Sequence, residues 1–584
     1  MKKTVGIGHQ DFEVIRTENV FYVDKTKFIR EWWENGDSVT LITRPRRFGK
    51  TLNMSMLEKF FSVQYAGRED LFQGLAVWEE EKYRKLQGTY PVISLSFASV
   101  KECDFFQTRR KICQNLANLY SKHRFLIEQG ILDAQEHLFF QSVSADMDDM
   151  TATMALHQLS LYLSRYYEKK VIILLDEYDT PMQEAYVNGY WNELVSFTRS
   201  MFNSAFKTNP YLERAVMTGI TRVSTPKASL GKESIFSDLN NLKVVTTTSE
   251  KYSDCFGFTE EEVFTALDEY GLSERKREVK NWYGGFIFGK QRDIYNPWSI
   301  INYLDTRKVG IYWANSSSNS LVGKLIREGS REIKQAMESL LFGKSLVTEI
   351  DEQIVYSQLD QSDSAIWSLL LASGYLKVIR YEEYSDDLDE SGCLKEPEYE
   401  LALTNLEVVR MFRNLVRGWF SQDRSNYNDF IKALLLGDVD AMNEYMNRIS
   451  ELTFSTFDTG KYSSKTEPEK FYHGFVLGLM VELAGRYVLT SNRESGFGRY
   501  DVMLEPLKPE DEGMILEFKV FQPKKEKTLE DTVERALKQI EEKRYEDALI
   551  MKGIPKEKIR KYGFAFSGKH VMIGEAMEQT EKIG

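Results

Sequence analysis

The feature that most constrains this chain is a strand-like run, residues 39–42, that enters a basic turn and ends in Gly49-Lys50-Thr51. Apolar residues then recur at helical spacing. A strand, a tight loop and a helix in this order are the context that a phosphate-binding P-loop requires. In such a loop Gly49 lets the backbone approach the phosphates, Lys50 reaches the β- and γ-oxygens, and the Thr51 hydroxyl ligates Mg²⁺. The helix that begins there adds free N–H groups and the positive end of its dipole.

Two arginines set this turn apart from the usual motif. Arg44 stands where that motif has its first glycine, and Arg47 lies two residues before Gly49. We count both arginines with Gly49, Lys50 and Thr51 among the expected nucleotide-binding residues. Because a Gly-Lys-Thr tripeptide also occurs by chance, this stretch alone leaves the nucleotide site open.

Acidic residues follow a second predicted strand. The continuous apolar run Val171–Leu175 is typical of the centre of a parallel sheet, and it ends in Asp176-Glu177. At the C-terminal end of such a strand we expect Asp176 to hold Mg²⁺ through water and Glu177 to orient or deprotonate an attacking water. The alternative is a strand that ends in solvated acids. The order of the two motifs along the chain favours the nucleotide site.

A third cluster of polar residues spans 218–222 and follows another predicted strand. Thr221 or Thr218 could sense the γ-phosphate there, and Arg222 could stabilise its charge. Arg222 could equally be a surface ion-pair partner. It could also complete the site of a neighbouring copy, which leaves a homo-oligomer open.

Strands and helices alternate through residues 1–245, which predicts an α/β domain with a parallel sheet and helices on both faces. Residues 246–460 are expected to be mostly helical. Near residue 363 a predicted helix is followed by strands 375–380 and 399–403, which together resemble a winged helix. The turn between these strands is strongly acidic, which argues against phosphate binding and favours a small packing domain.

The C-terminal domain, residues 461–584, begins with a polar, proline-containing stretch that predicts a linker. Its strand Gly513–Val520 places Glu517 and Lys519 on one face, where charges are costly unless they serve a site. With Asp501 on the neighbouring strand, two carboxylates can hold Mg²⁺ or Mn²⁺ near a lysine that positions a water. Two carboxylates, a divalent cation and a lysine are the groups that metal-dependent phosphodiester hydrolysis uses. The alternative is an edge strand with a solvated Glu–Lys pair.

Predicted helices flank these strands and complete an α-β-β-β-α core. They span residues 471–484 and 529–545, and the second carries Gln539 and Lys543 about one turn apart. This arrangement favours the metal site over the solvated pair.

The composition excludes several classes of protein. The chain has 584 residues, of which 42% are hydrophobic and 28% charged, as in an ordinary folded protein of several domains. Its net charge of −12 argues against a uniformly basic surface for binding nucleic acid. A local basic groove is still compatible with this charge. The four cysteines are scattered, and neither a signal peptide nor a membrane-spanning run is present. We therefore expect a cytoplasmic protein with reduced thiols and no membrane association.

The motifs together resemble two known families. The N-terminal motifs are similar to those of the bacterial AAA-ATPase-like family: Tyr22-Val23-Asp24-Lys25-Thr26, Arg44–Thr51, Asp176–Pro181 and Thr218–Arg222. The C-terminal motifs resemble the PD-(D/E)XK nuclease superfamily, whose core is restriction-endonuclease-like: Gly496–Asp501 and Glu517-Phe518-Lys519. The resemblance covers nearly the whole chain.

The resemblance assigns roles to individual residues. It implies that an arginine in place of the first P-loop glycine, here Arg44, is usual in the family. It also implies that Asp501, Glu517 and Lys519 are the nuclease positions. A helix glutamate usually completes such sites, and the candidates are Glu494, which we prefer, and Glu482.

Two functions follow as expectations. The first is a nucleotide-controlled nuclease that binds ATP and Mg²⁺ and cuts DNA with Mg²⁺ or Mn²⁺, with defence against foreign DNA as the setting that the resemblance implies. The second is a switch or scaffold that binds nucleotide without turnover and whose C-terminal domain binds nucleic acid or protein without cutting it.

Overall fold

The computed structural model describes most of the chain in two compact units. The described residues are 3–227, 231–236, 238–314, 322–323, 325–326, 330–341, 343–351, 353–355, 359, 363–381, 397–419, 424–453, 476–480, 483, 486–491, 494–495, 498–499 and 501–576. Unit 1 comprises Met1–Leu325 and Gly343–Met411, and unit 2 comprises Ile326–Phe342 and Phe412–Gly584. The domain boundaries near residues 245 and 460 stay predictions.

Unit 1 contains a five-stranded parallel sheet of the order β2-β3-β4-β1-β7. Its strands are β1 (Val39–Thr43), β2 (Val92–Ser96), β3 (Val171–Asp176), β4 (Leu212–Gly219) and β7 (Leu242–Val245). Between β4 and β7 lie β5 (Arg222–Lys227) and β6 (Gly231–Ser234). Every residue of β3 is buried, because apolar side chains cover both faces of the sheet. The parallel α/β fold predicted from the sequence is confirmed.

Helices precede β1 and occupy the connections between the strands of the parallel sheet. They span Phe12–Thr17, Lys27–Asn35, Lys50–Phe61, Glu81–Arg84, Phe105–Lys122, Phe125–Glu128, Ala134–Ser142, Asp149–Tyr167, Thr180–Asn188 and Trp191–Phe202. The helix Phe105–Lys122 ends at His123, whose N–H donates to the carbonyl of Tyr120 instead of continuing the α-helical pattern.

The later part of unit 1 contains helices and short strands. Its helices are Glu260–Glu269, Lys276–Tyr283, Pro297–Thr306 and Asp363–Ala372, and Leu406–Trp419 begins near its end. Its strands are β8 (Phe286–Phe288), β9 (Gln291–Ile294), β10 (Leu346–Glu349), β11 (Gln353–Val355), β12 (Leu376–Tyr381) and β13 (Glu398–Leu403). The predicted helix and strand pair near residue 363 are present, and β10 adds a third antiparallel strand beside β13. The acidic turn and the linker predicted at 461–470 lie outside the described residues.

Unit 2 contains a mixed sheet of the order β14-β17-β18-β19-β20. Its strands are β14 (Tyr487–Ser491), β17 (Val502–Pro506), β18 (Gly513–Val520), β19 (Ile559–Ser567) and β20 (His570–Glu575), and a separate pair is formed by β15 (Glu494–Ser495) and β16 (Gly498–Arg499). Its helices are Arg331–Leu341, Arg424–Leu436, Val439–Thr453, Leu529–Glu542 and Asp547–Ile550.

Alternate residues of β18 face two different cores. Leu516 and Phe518 pack into a large core with side chains of Arg424–Leu436 and Val439–Thr453. Ile515 faces the other way and packs in a smaller core with Ile540 of the helix Leu529–Glu542. Glu517 and Lys519 therefore share the face of β18 that this helix covers.

None of the helices in the described residues has both the length and the apolar composition that a membrane span requires.

Candidate functional site

The loop between β1 and the helix Lys50–Phe61 has the backbone of a tight phosphate-binding turn. Gly49 caps the helix with a φ of 82°, in the left-handed region, and Arg47 adopts a φ of 66°. Glycine takes up this conformation without a steric penalty, whereas an arginine there is strained. The N–H of Asn53 donates to the Gly49 carbonyl at 2.9 Å, so the free amides of the first helical turn face the loop.

Lys50 is folded into this loop. Its Nζ donates to the carbonyls of Arg44 and Pro45, each at 2.9 Å. Burial lowers the pKa of Lys50, while the nearby carboxylates of Glu177 and Asp176 act against this shift. A phosphate that binds this ammonium would have to compete with the two carbonyls.

Arg44 anchors the loop to the segment that follows β7. Its side chain is fully buried, and its guanidinium donates to the carbonyls of Thr43, Thr246 and Lys251. The guanidinium carbon lies 4.7 Å from the ring centre of Phe288. We assign the Arg44 side chain to this anchor, and its predicted contact with nucleotide stays untested.

The other arginines of the loop also have protein partners. The Arg47 guanidinium lies over the ring of Trp298, 4.2 Å from the ring centre, in a cation–π contact. Arg46 donates to the side-chain oxygen of Gln183 at 2.9 Å. A nucleotide that recruits Arg47, as the sequence predicts, must draw it from Trp298.

Asp176 lies at the end of β3 and joins two of the predicted motifs. It is 4% exposed, and its carboxylate accepts hydrogen bonds from the Thr51 hydroxyl at 2.7 Å and from the Thr218 hydroxyl. Burial raises the pKa of Asp176, although both hydroxyl donors favour the charged form. The pairing of Thr51 with Asp176 matches the expected pair of direct and water-mediated Mg²⁺ ligands.

Glu177 follows in a strained backbone conformation, with a φ of 50°. Its N–H donates to the Thr218 hydroxyl at 3.3 Å, and its carboxylate accepts from the Thr180 hydroxyl at 3.1 Å. A non-glycine residue in the left-handed region costs free energy and is often found at functional sites. The half-buried carboxylate remains available for the predicted role as a base.

The sequence analysis did not identify Asp179 as a site residue. It is 1% exposed, and one of its oxygens accepts from the N–H groups of Ile220 and Thr221, at 2.9 and 3.0 Å, and from the Thr221 hydroxyl at 3.1 Å. A Cβ atom on Gly219 would come within 2.8 Å of this carboxylate, so the turn requires glycine. Asp179 thereby fixes the turn that precedes Arg222. The sequence signal that could have identified Asp179 is its position two residues after Glu177.

The predicted phosphate sensors face inward. The hydroxyls of Thr218 and Thr221 are buried and bonded to Asp176 and Asp179. Arg222 starts β5, which pairs with β11. The structure therefore brings Lys50, Thr51, Asp176 and Glu177 together, whereas direct nucleotide contacts of Thr221 and Arg222 stay predictions.

The carboxylates of unit 2 converge at the C-terminal half of β18. The Asp501 carboxylate accepts from the N–H of Phe518 at 2.8 Å, which holds it beside Glu517. Lys519 donates to Oε1 of Glu517 at 2.9 Å and to the Phe518 carbonyl at 3.1 Å. The three residues that the sequence placed at one site therefore lie together.

Glu517 has the environment of a metal ligand. It is 1% exposed, and within the described part of the chain its Oε2 has no hydrogen-bond partner. Burial, with the neighbouring charge of Asp501, raises the pKa of Glu517, and Lys519 acts in the opposite direction. A buried carboxylate oxygen without a partner is costly, and a divalent cation would satisfy it. The residues therefore fit a hard cation held by Asp501 and Glu517.

A second pair of residues supports this carboxylate from the helix side. The Gln539 amide donates to Oε1 of Glu517 and to the Tyr545 hydroxyl, the latter at 3.2 Å. Burial raises the pKa of Tyr545, so its phenol stays neutral. Gln539 was noted from the sequence without a role, and Tyr545 was not predicted.

A third acidic residue is expected to complete this site. Glu494 lies in β15, opposite Arg499 of β16, and its side chain is outside the described residues. Glu482 is also outside them. The choice of Glu494 as the completing carboxylate stays a prediction.

Comparisons with known proteins match one family model to each end of the chain. Residues 6–229 match a family model described as predicted AAA-ATPase, and residues 467–576 match the PD-(D/E)XK nuclease superfamily. The chain is also similar to a protein of Azotobacter chroococcum mcd 1 described as an uncharacterized protein in the vnfD 5′ region. The two are 25% identical over 409 residues, which cover 70% of this chain and 68% of that protein.

Proposed function

We propose that this chain, which combines a predicted AAA-ATPase domain with a PD-(D/E)XK nuclease superfamily domain, is a cytoplasmic ATP-binding protein whose C-terminal domain cuts DNA under nucleotide control. The observation that carries the proposal is the buried Oε2 of Glu517, which lies between Asp501 and Lys519 and has no hydrogen-bond partner among the described residues. Burying this carboxylate oxygen without a hydrogen-bond partner costs free energy, and a bound cation would offset that cost. This argues against an inactive relic of a nuclease. Defence against foreign DNA stays a prediction from the resemblance.

The residues of unit 2 divide the work of hydrolysis. A divalent cation, when bound, lowers the pKa of a bound water and neutralises charge on the phosphate. Asp501 and Glu517 would hold that cation. Lys519, fixed by the carbonyl of Phe518 and by Glu517, would orient the water or the phosphate with its ammonium. Gln539 keeps the Glu517 side chain in place.

The residues of unit 1 suit ATP with Mg²⁺. Lys50 would bind phosphate oxygens, Thr51 and Asp176 would hold the cation, and Glu177 would accept a proton from water. A second candidate is a switch that binds ATP without turnover. It is favoured by the protein partners that already occupy Lys50 and Arg47, because a nucleotide must displace them.

Cleavage assays test the nuclease. Purified protein is incubated with plasmid and with single-stranded DNA in Mn²⁺, with and without ATP, beside a Glu517→Gln variant. Glu505→Gln, which alters a β17 carboxylate paired with Lys552, is the matched control. Cleavage that is lost only in Glu517→Gln supports the proposal. Absence of cleavage under every condition, with ATP still bound, favours the switch.

A further variant tests nucleotide control. We expect Lys50→Ala to abolish ATP binding and, with it, any effect of ATP on cleavage. Nuclease activity that is unchanged in Lys50→Ala under all conditions would refute the coupling and leave two independent activities.

A further inference from the structure

A lysine-rich loop leaves the nuclease-like site directly after β18. It spans residues 522–528 and carries Lys524, Lys525 and Lys527, all of them exposed. Such a cluster is notable in a chain whose net charge is −12. Its start lies three residues after Lys519, which corresponds to roughly 10 Å of extended chain.

The loop is built around one inward-facing acid, Glu526. The Glu526 side chain is 8% exposed, forms an ion pair with Arg535 and accepts from the Thr532 hydroxyl at 2.8 Å. It also accepts from the N–H of Gln522 at 2.8 Å, which closes the turn. Arg535 in addition donates to the Val520 carbonyl at 2.9 Å. The loop therefore has a defined conformation, and its internal acid is neutralised by an internal base.

The three lysine side chains extend into solvent. Among the described residues, none of their ammonium groups forms a side-chain ion pair or hydrogen bond. The nearby Asp531 uses its carboxylate to accept from the N–H groups of Lys527 and Thr528, at 2.7 and 3.1 Å, as the cap of the following helix. The loop thus presents three exposed lysines to solvent, and of these Lys527 has the Asp531 carboxylate nearby.

Resting on the proposed nuclease, we infer that loop 522–528 binds the phosphodiester backbone of the nucleic acid beside the bond to be cut. The start of the loop is at most roughly 10 Å of extended chain from Lys519, so its lysines can reach phosphates that neighbour the bond to be cut. Lysine ammonium groups bind phosphate as point charges and supply affinity without reading sequence. The loop would hold the strand in register with Glu517.

Binding assays at several salt concentrations test this inference. Fluorescence anisotropy with labelled duplex DNA and duplex RNA of equal length is measured in EDTA, which keeps the substrate intact. The full-length protein is compared with Lys524→Ala/Lys525→Ala/Lys527→Ala. The matched control is Lys82→Ala/Lys85→Ala/Lys290→Ala, which removes the same charge from lysines that are exposed but ion-paired with glutamates.

We expect the loop variant to bind at least roughly tenfold more weakly at 0.1 M salt, with a slope of log K against log salt smaller by about 3 than that of the wild type. The control variant should match the wild type. The DNA and RNA arms show which backbone the loop prefers.

The outcomes separate the two proposals. If the wild type binds and the loop variant binds equally well with the same slope, the inference is overturned while the nuclease proposal stands. If the loop variant loses binding but the wild type cuts nothing in Mn²⁺, the inference stands and the nuclease proposal fails. A wild type that binds neither nucleic acid at any salt concentration overturns the inference.

Discussion

Replacing Arg44 by glycine restores the residue that the usual P-loop motif carries, and we expect this change to damage the site. In the structure Arg44 is fully buried and donates to three backbone carbonyls, two of which, Thr246 and Lys251, belong to the segment after β7. Glycine would leave these carbonyls without a donor and would leave a cavity beside Phe288. The loop would lose its attachment to that segment.

The expected loss of stability in Arg44→Gly follows from the contacts of the Arg44 guanidinium. A hydrogen bond from a charged group is worth roughly 1.5–3 kcal/mol, and a partly desolvated cation–π contact adds about 1 kcal/mol. Two strong hydrogen bonds and the contact with Phe288 are offset in part by the cost of burying the charge, which leaves a net loss of about 4 kcal/mol for Arg44→Gly. Arg44→Lys keeps the charge but not the planar fork, and we expect about half of this loss.

Thermal unfolding and ATP calorimetry measure both consequences. For a unit of this size a loss of about 4 kcal/mol lowers the unfolding midpoint by several degrees, and the affinity for ATP should fall by at least roughly tenfold. Arg46→Ala is the control, because Arg46 contributes one hydrogen bond to Gln183. An Arg44→Gly protein that unfolds at the wild-type midpoint and binds ATP as well or better would refute the anchoring role.

Three further predictions concern other parts of the molecule. Asp179→Asn should leave the Kd for ATP nearly unchanged and lower kcat for ATP hydrolysis by roughly 30-fold, which corresponds to about 2 kcal/mol. The reason is that the substitution weakens the hydrogen bonds that hold the turn before Arg222. Equal losses in ATP affinity and in kcat would contradict this positioning role. Burial lowers the pKa of His123 to about 4, so its contribution to stability should be nearly constant above about pH 7.5 and should fall by about 2 kcal/mol between about pH 7 and pH 5, as the unfolded state takes up a proton. In urea unfolding, His123→Phe should show a flatter pH dependence, and identical profiles would count against it. Asp501→Asn should abolish Mn²⁺ binding in calorimetry while ATP binding persists, and a retained Mn²⁺ site would show that other residues hold the cation.

The local motifs predicted the position of both sites because each lies on a short stretch with its own pattern. The strand-loop-helix order located the loop at Gly49, and period two placed Glu517 and Lys519 on one face of β18, whose predicted and observed bounds agree. The alternation of strands and helices predicted the parallel sheet of unit 1. Each of these predictions used only a pattern within one short stretch of the sequence.

The sequence did not predict features that depend on distant segments. The fifth strand of the parallel sheet, β7, is only four residues long and pairs with β1 some 200 positions earlier, so its pattern is too short to identify it. The side chain of Arg44 could have faced a phosphate or the protein interior, and only the fold places three carbonyls around it.

Sequence by itself therefore determined which residues are candidates for the two sites, and the tertiary structure decided how they are held. Lys50, Asp176, Asp501 and Glu517 follow from residue type and spacing, because those are local properties of the chain. The contacts of Gln539 with Glu517 and of Asp179 with the turn at 220–221 depend on which elements pack together. Packing is a property of the whole core, so no single stretch of sequence could predict these contacts.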